Sequence, residues 1–221
     1  MGKDNTEHVS VTDKIAGFLR NNRIPLLVLL VLITVGVVGS ISYFLIRRSM
    51  EKKAITAVEA LERKKNELGA INTRSEDVTV LLNEIDAFAS STFGYAAIRA
   101  YSLAADIHFS LSEWDKAEEA WVQGAGKTPK IYLAPLSLFN AAVAAEEQGK
   151  LDMAVDYYNR SLEFSGVFPA AARARFNIGR IREAQRNKAG AAEAYRTLIE
   201  KNPDSNWAKL AQSRIIALEM E

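Results

Sequence analysis

WDKAEEAW (114–121), LDMAVDYY (151–158) and KAGAAEAY (188–195) are three short stretches of one 221-residue chain, and their spacing decides the fold. In each, an alanine (Ala117, Ala154, Ala191) precedes an aromatic residue by four positions (Trp121, Tyr158, Tyr195), and successive alanines lie 37 residues apart. Four positions is about one helical turn, so the two side chains share a helix face. Antiparallel helices approach closely only where one presents a small residue, and an aromatic one turn on fills the gap to the neighbouring helix. Chance alanines are common in an alanine-rich chain. An alanine–aromatic pair returning at one interval marks a repeat.

Working outward, a second helix is expected upstream of each pair, over 95–109, 136–148 and 170–184. Small residues stand on their packing faces: Ala104 and Ala105, Ala141 and Ala142, then Gly179. A mid-helix glycine costs about 1 kcal/mol of propensity, which close packing can offset. Gly149 and Asn187 mark the tight turns of the second and third pairs. A final amphipathic helix over 205–220, capped at Ser205, is expected to cover the open end with Leu210, Ile215 and Leu218. Before the repeats, 50–68 reads as a charged helix with Ala54, Val58, Leu61 and Leu68 at helical spacing, ended by Gly69. A turn follows at 72–75. Helix 76–90 then presents Val78, Leu81, Leu82, Ile85 and Phe88, and Ser90, Ser91 and Thr92 break it.

Near the N-terminus, IPLLVLLVLITVGVVGSISYFLI (24–46) holds no charge. As a helix it spans roughly 34 Å, enough for a hydrocarbon core of about 30 Å. Pro25 falls in the first turn, where its missing N–H costs little. Arg23, Arg47 and Arg48 flank the run and can snorkel to the headgroups. The run is longer than a signal-peptide core and ends in bulky residues and arginines, so a retained membrane helix is expected. Lys14, Arg20 and Arg23 before it are matched by Arg47, Arg48, Lys52 and Lys53 after it, so charge alone does not orient the span. Gly36 and Ser40 offer a small-xxx-small approach for another helix. In the polar tail 1–23, Thr12 is expected to cap a brief helix over 13–20 with Ile15, Phe18 and Leu19 on its apolar side.

Composition narrows the chemistry. The formal net charge is +1 with no long basic tract, against a dedicated nucleic-acid binder. There is no cysteine, so disulfides, thiolate nucleophiles and cysteine metal sites are absent. The two histidines, His8 and His108, cannot build a histidine-rich metal site. No glycine-rich phosphate loop, GxSxG or HExxH occurs. Glu146 and Glu147 are adjacent and point in different directions on a helix, and Asp152 and Asp156 have no histidine beside them. The expectation is a non-enzymatic protein without a cofactor.

The third unit, 172–203, resembles a tetratricopeptide repeat. Measured from Ala172, the motif positions fall on Ile178, Gly179, Ala191, Tyr195, Leu198 and Pro203. The first unit, from Ile98, matches at Ala104, Ala105, Ala117, Trp121 and Pro129, with Gly124 in place of the usual alanine. The second, from Pro135, matches at Ala141, Ala142, Ala154 and Tyr158, and departs at Ser161 and Gly166. The 37-residue step exceeds the standard 34, and the extra residues are placed in loops around Lys130 and Val167. The expected fold is all-α: an N-terminal transmembrane helix followed by a tetratricopeptide-repeat α-solenoid. Its divisions are a cytoplasmic tail (1–23), the span (24–46), a linker helix with the first helix of the soluble domain (47–90), and three helix pairs with a capping helix (91–221).

In layout, with an anchor, a charged helix and then FASSTFGYAAIRAYSLAADI (88–107) leading into repeats, the chain resembles the bacterial ancillary Sec translocon subunit family. The resemblance covers most of 15–221. It implies an inner-membrane protein with one span, a cytoplasmic N-terminus and a periplasmic repeat domain, whose partners are the Sec channel, periplasmic chaperones and exported clients. Carrying over the family's groove positions gives Arg99, Ser102, Asp106 and Phe109, then Leu136, Phe139, Val143 and Glu146, then Arg173, Phe176, Arg180 and Glu183. Such a surface mixes aromatics with both charge signs and can dock a segment through apolar anchors, with arginines catching carboxylates. Ser102 and Asp106 stand where carboxylate-gripping repeat proteins have a lysine and an asparagine, so that grip is not expected. The alternative is a self-associating scaffold or coordinator of envelope assembly or division, using the outer face and the membrane helix, with Trp121 and Tyr158 partly exposed. Homo-oligomerisation is compatible with either reading.

Overall fold

The computed structural model describes residues 11–127, 132–164 and 168–220. It divides into two compact units, one up to Lys52 and one from Lys53. Among the described residues there are ten helices and no strand. The loops expected to hold the extra residues of each repeat, around Lys130 and Val167, lie outside the described residues, as do Pro129 and Gly166.

In the first unit α1 (Val11–Asn21) precedes α2 (Arg23–Glu67). Thr12 lies inside α1 rather than capping it, because the helix already includes Val11. The stretch 24–46 is helical throughout and its large apolar side chains are exposed. α2 is long and apolar enough to cross a membrane.

In the second unit the remaining helices are α3 (Glu76–Ser91), α4 (Tyr95–Ser110), α5 (Trp114–Lys127), α6 (Ala134–Glu147), α7 (Leu151–Leu162), α8 (Ala171–Ala184), α9 (Lys188–Lys201) and α10 (Asn206–Met220). Each packs on the next, and α4 also meets α6 as α8 meets α10. The even-numbered helices therefore form one layer and α3, α5, α7 and α9 the other, the architecture of a helix-pair solenoid. Ala117, Ala154 and Ala191 are fully buried, as are Tyr158 and Tyr195, and Trp121 is nearly so. Trp121 and Tyr158 are core residues, as the alanine–aromatic pairing implies, and not the partly exposed ones the scaffold alternative could use: both rings fill the space between helix layers. Gly124 departs from alanine for a steric reason: a Cβ there would lie 2.9 Å from the Tyr101 Cβ.

The turns inside the pairs share one geometry that residue type conceals. Ser112 (φ 58°), Gly149 (φ 72°) and Arg186 (φ 60°) occupy the left-handed region, again 37 residues apart. The following amide closes each helix: Glu113 N donates to His108 O (2.9 Å), Lys150 N to Ala145 O (2.9 Å) and Asn187 N to Arg182 O (2.9 Å). This is the glycine-type helix stop. Only the second unit spends a glycine on it. Asn187, expected to mark the third turn, lies in it and also caps α9 by accepting from Gly190 N at 2.9 Å. Because L side chains are strained in this region, Ser112→Gly and Arg186→Gly are each expected to stabilise the fold by about 0.5–1 kcal/mol. Thermal melts followed by helical circular dichroism would read this as a higher Tm.

Both ends of the stack differ from the simplest reading. From Lys53 on, α2 contributes buried Val58 and Leu61 to one core with Leu81 and Ile85 of α3 and Ala96, Ala100 and Leu103 of α4. α2 thus adds side chains to the core of α3 and α4, ahead of the three expected pairs. At the other end Ser205 caps α10 through the Ala208 N–H (3.1 Å), as the sequence indicates. Leu210, however, is exposed. Ala208 and Ala211 bring the helix close, and Trp207, Ile215 and Leu218 pack against Tyr195 and Leu198. Lys209, Gln212, Ser213 and Glu219 face outward together with exposed Ile216 and Met220.

A buried carboxylate ties the first two repeats together. Glu118 of α5 accepts from the Tyr157 hydroxyl (2.9 Å), the Gln148 amide (2.7 Å) and Lys150 Nζ (3.2 Å). Three donors satisfy a charge that would otherwise be costly to bury. Burial first, and the bond to Glu118 second, push the Tyr157 phenol up to about 12.

Candidate functional site

The even-numbered layer carries all nine expected groove residues: Arg99, Asp106 and Phe109 on α4, Phe139, Val143 and Glu146 on α6, and Arg173, Phe176 and Arg180 on α8. Most of their functional groups are already engaged within the chain.

The engagement forms a ladder between consecutive helices of that layer. On α6, Glu146 pairs with Arg180 of α8 and accepts from the buried Tyr158 hydroxyl (2.7 Å), which itself accepts from Asn177 (2.8 Å). On α8, Glu183 pairs with Arg214 of α10, and the buried Tyr195 hydroxyl lies beside Glu183 without a well-aligned hydrogen bond. On α4 the matching place is Phe109, whose ring packs 5.6 Å from Trp121, and Val143 of α6 joins the same cluster. Where the repeat aromatic is tyrosine its neighbours are glutamate and arginine. Where it is tryptophan they are phenylalanine and valine. At Tyr158 the buried hydroxyl has the polar partner it needs, and the carboxylate that serves it has a cation, whereas the buried Trp121 indole N–H has no hydrogen-bond partner among the described residues. Burial first, and the carboxylate second, raise both the Tyr158 and Tyr195 phenols above their ordinary value.

At the head of the stack, α2 occupies the place of a partner. Glu62 pairs with Arg99 (2.6 Å) and Lys65 with Asp106 (3.9 Å). With Val58, Ser102 and Leu103 they close a notch of about 40 Å³. Arg99 is therefore engaged by α2, while Asp106 remains half exposed beside Lys65. Phe139 is 4% exposed, packed on Tyr158 and Phe168 and covered by the Arg173 guanidinium at 5.3 Å. Phe176 is wedged between Tyr195 (5.5 Å) and Trp207 (5.2 Å). Both rings serve the core first. The open chemistry of this layer is Arg173, Leu136 and the Tyr132 ring just before α6, which is 72% exposed. Sequence reasoning missed Tyr132, Glu62, Lys65 and Arg214. Arg214 was findable, because it follows Arg180 by one standard repeat of 34 residues.

On the other layer, an open cleft of about 720 Å³ separates α3 from α5, floored by Tyr101 and His108 of α4. At its edge Arg74 grips Glu113 (2.6–3.0 Å), which also meets His108 Nδ1 (2.7 Å) and Lys116 (3.3 Å). The Arg74 hydrogen bonds above all hold the Glu113 carboxyl down at about 2, against a smaller push from burial. A folded value below the unfolded one stabilises the protein above pH 4.5, and that stability fades as pH falls towards 2. Solvent screening of the half-exposed arginine discounts the effect. Between pH 4.5 and 2 the native chain is expected to lose roughly 1–2 kcal/mol more than Glu113→Gln, measured by melts across that window.

Among the described residues no group of three or more histidine, aspartate or glutamate side chains is placed to hold a metal ion. The tetratricopeptide repeat family model matches residues 102–166 and 163–206. A Treponema pallidum (strain Nichols) "TPR repeat-containing protein" is 39% identical over 142 residues, which are 63% of this chain. The chain spans 59% of that relative's length. Two crystal structures of a Podosopora anserina putative kinesin light chain with nearly identical TPR-like repeats share the fold. Each has a TM-score of 0.51, at 11% and 12% identity, covering 76% of this chain and 85% and 86% of those chains. Residues 102–206 thus match tetratricopeptide repeats, and the described helices form an all-α solenoid like those of the two crystal structures.

Proposed function

We propose that this chain is a membrane-anchored partner-binding protein: an ancillary subunit of the Sec translocon that links protein export to periplasmic chaperones. In this reading 24–46 spans the inner membrane, the N-terminus is cytoplasmic and the repeats are periplasmic. The observation that carries it is one chain holding both a fully exposed apolar helix of bilayer length and a repeat stack that exposes a strip of Tyr132, Leu136 and Arg173, the last with its guanidinium over the Phe139 ring. The strip pairs apolar anchors with a cation, suited to an extended segment with hydrophobic and acidic side chains.

Photocrosslinkers belong at exposed Leu136 and Tyr132 rather than at buried Phe139. In intact inner membranes the expected products are adducts with channel subunits, chaperones or exported chains, reduced by Arg173→Glu. Adducts only with a second copy, or only with division or envelope-assembly proteins, would sink this reading in favour of a self-associating scaffold.

A further inference from the structure

Helix α1 has an apolar side that nothing in its own unit covers. Ile15, Phe18 and Leu19 are 54%, 59% and 51% exposed, and their i, i+3, i+4 spacing places them on one face. Ala16 and Arg20 lie off that face and are also exposed. Only Asn22 separates α1 from α2. Its N–H donates to Phe18 O (3.0 Å), and its carbonyl accepts from Leu26 N (2.9 Å). Between those bonds Pro25 has no N–H for the Asn21 carbonyl, so the helical ladder is broken there and the chain can bend. Because Asn22 precedes the apolar run by two residues, a span beginning at Ile24 delivers the end of α1 to the bilayer surface. Arg20 and Arg23 then stand at headgroup depth, where anionic lipid attracts them.

We propose that α1 is an interfacial helix lying in the headgroup layer of the leaflet where the span begins, with Ile15, Phe18 and Leu19 turned towards the acyl chains. This rests on the membrane-span reading of α2. A lipid surface is the occupant because the tether to the span is a single residue, and a narrow apolar stripe flanked by basic residues is the pattern of helices that lie on membranes rather than cross them.

The absence of cysteine gives a clean test. The full chain with Phe18→Cys, Ile15→Cys, Ala16→Cys or Val35→Cys is labelled with an environment-sensitive fluorophore and reconstituted into vesicles containing anionic lipid. Brominated acyl chains then report contact with lipid. The expected result is strong quenching at 35, quenching at 18 and 15 several-fold above that at 16, and loss of the difference when Ile15 and Leu19 are both replaced by serine behind the label at 18. Quenching at 35 with 18 and 15 no better than 16 would overturn the interfacial helix while leaving the span intact. No quenching at 35 would remove the span and this inference with it. A blue-shifted but unquenched label at 18, with disulfide-linked dimers of Phe18→Cys, would overturn it in favour of helix pairing with a second copy.

Discussion

Gly179→Leu is expected to abolish cooperative folding of the C-terminal repeats, and Gly179→Ala to cost at least about 2 kcal/mol. A Cβ at this position would lie 2.4 Å from Cε1 of Tyr195 and 2.7 Å from Cδ1 and Cζ. Tyr195 is fully buried, packed against Phe176, so its ring has nowhere to retreat. Alanine brings about 1 kcal/mol of helix propensity over glycine, but the overlap with a rigid aromatic outweighs it. For Gly179→Ala the melt of the full chain in detergent should fall by about 4–8 °C. Gly126→Ala in α5 is the control, because a Cβ there meets nothing within 4 Å and propensity alone should raise stability slightly. Combining Gly179→Ala with Tyr195→Leu should recover part of the loss. An unchanged melt for Gly179→Ala would mean that the close approach of α8 and α9 is not what holds the third repeat together.

The second large effect is expected at the α6–α8 rung. Glu146→Leu removes the acceptor of Tyr158 and strands Arg180. Arg180→Leu leaves the Glu146 carboxylate, 14% exposed, without its cation. Each is expected to cost about 2–3 kcal/mol, the range for an orphaned buried polar or charged group. The apolar rung at Phe109, Trp121 and Val143 shows that charge is not required there. Replacing Tyr158, Glu146 and Arg180 together by Trp, Phe and Val should therefore destabilise far less than the sum of the single changes. The coupling, read from a mutant cycle of thermal or denaturant melts, is expected to be about 1–3 kcal/mol. Additive losses would show that the three side chains act separately. Since this rung also fixes how α6 and α8 sit together, its loss is expected to weaken crosslinking from Leu136 as well.

Much of the fold was legible because its decisive contacts are local in sequence. The alanine–aromatic pair lies within one turn of one helix, and each repeat must bring its two helices together in the same way. The pair therefore returns at one interval whatever the intervening residues are. The cap at Ser205, and the continuous apolar run of α2, are equally local signals. The candidate site was less legible. Phe139 and Phe176 occupy groove positions by count, yet the rings are taken up by Phe168, Tyr158, Tyr195 and Trp207, three of which lie on other helices.

Sequence alone thus determined that the soluble part is a set of stacked helix pairs of one period and that an apolar helix of bilayer length precedes them. Both follow from hydrophobic pattern and side-chain size along a single helix. Tertiary structure alone decided which charges remain available. The partners of Arg99, Asp106, Glu146 and Arg180 come from helices 34 to 41 residues away, and whether they meet depends on how each pair rotates onto the next. It also decided that α2 closes one end of the stack and that Leu210 points to water, because burial of an amphipathic helix is settled by the neighbour it meets and not by its own pattern.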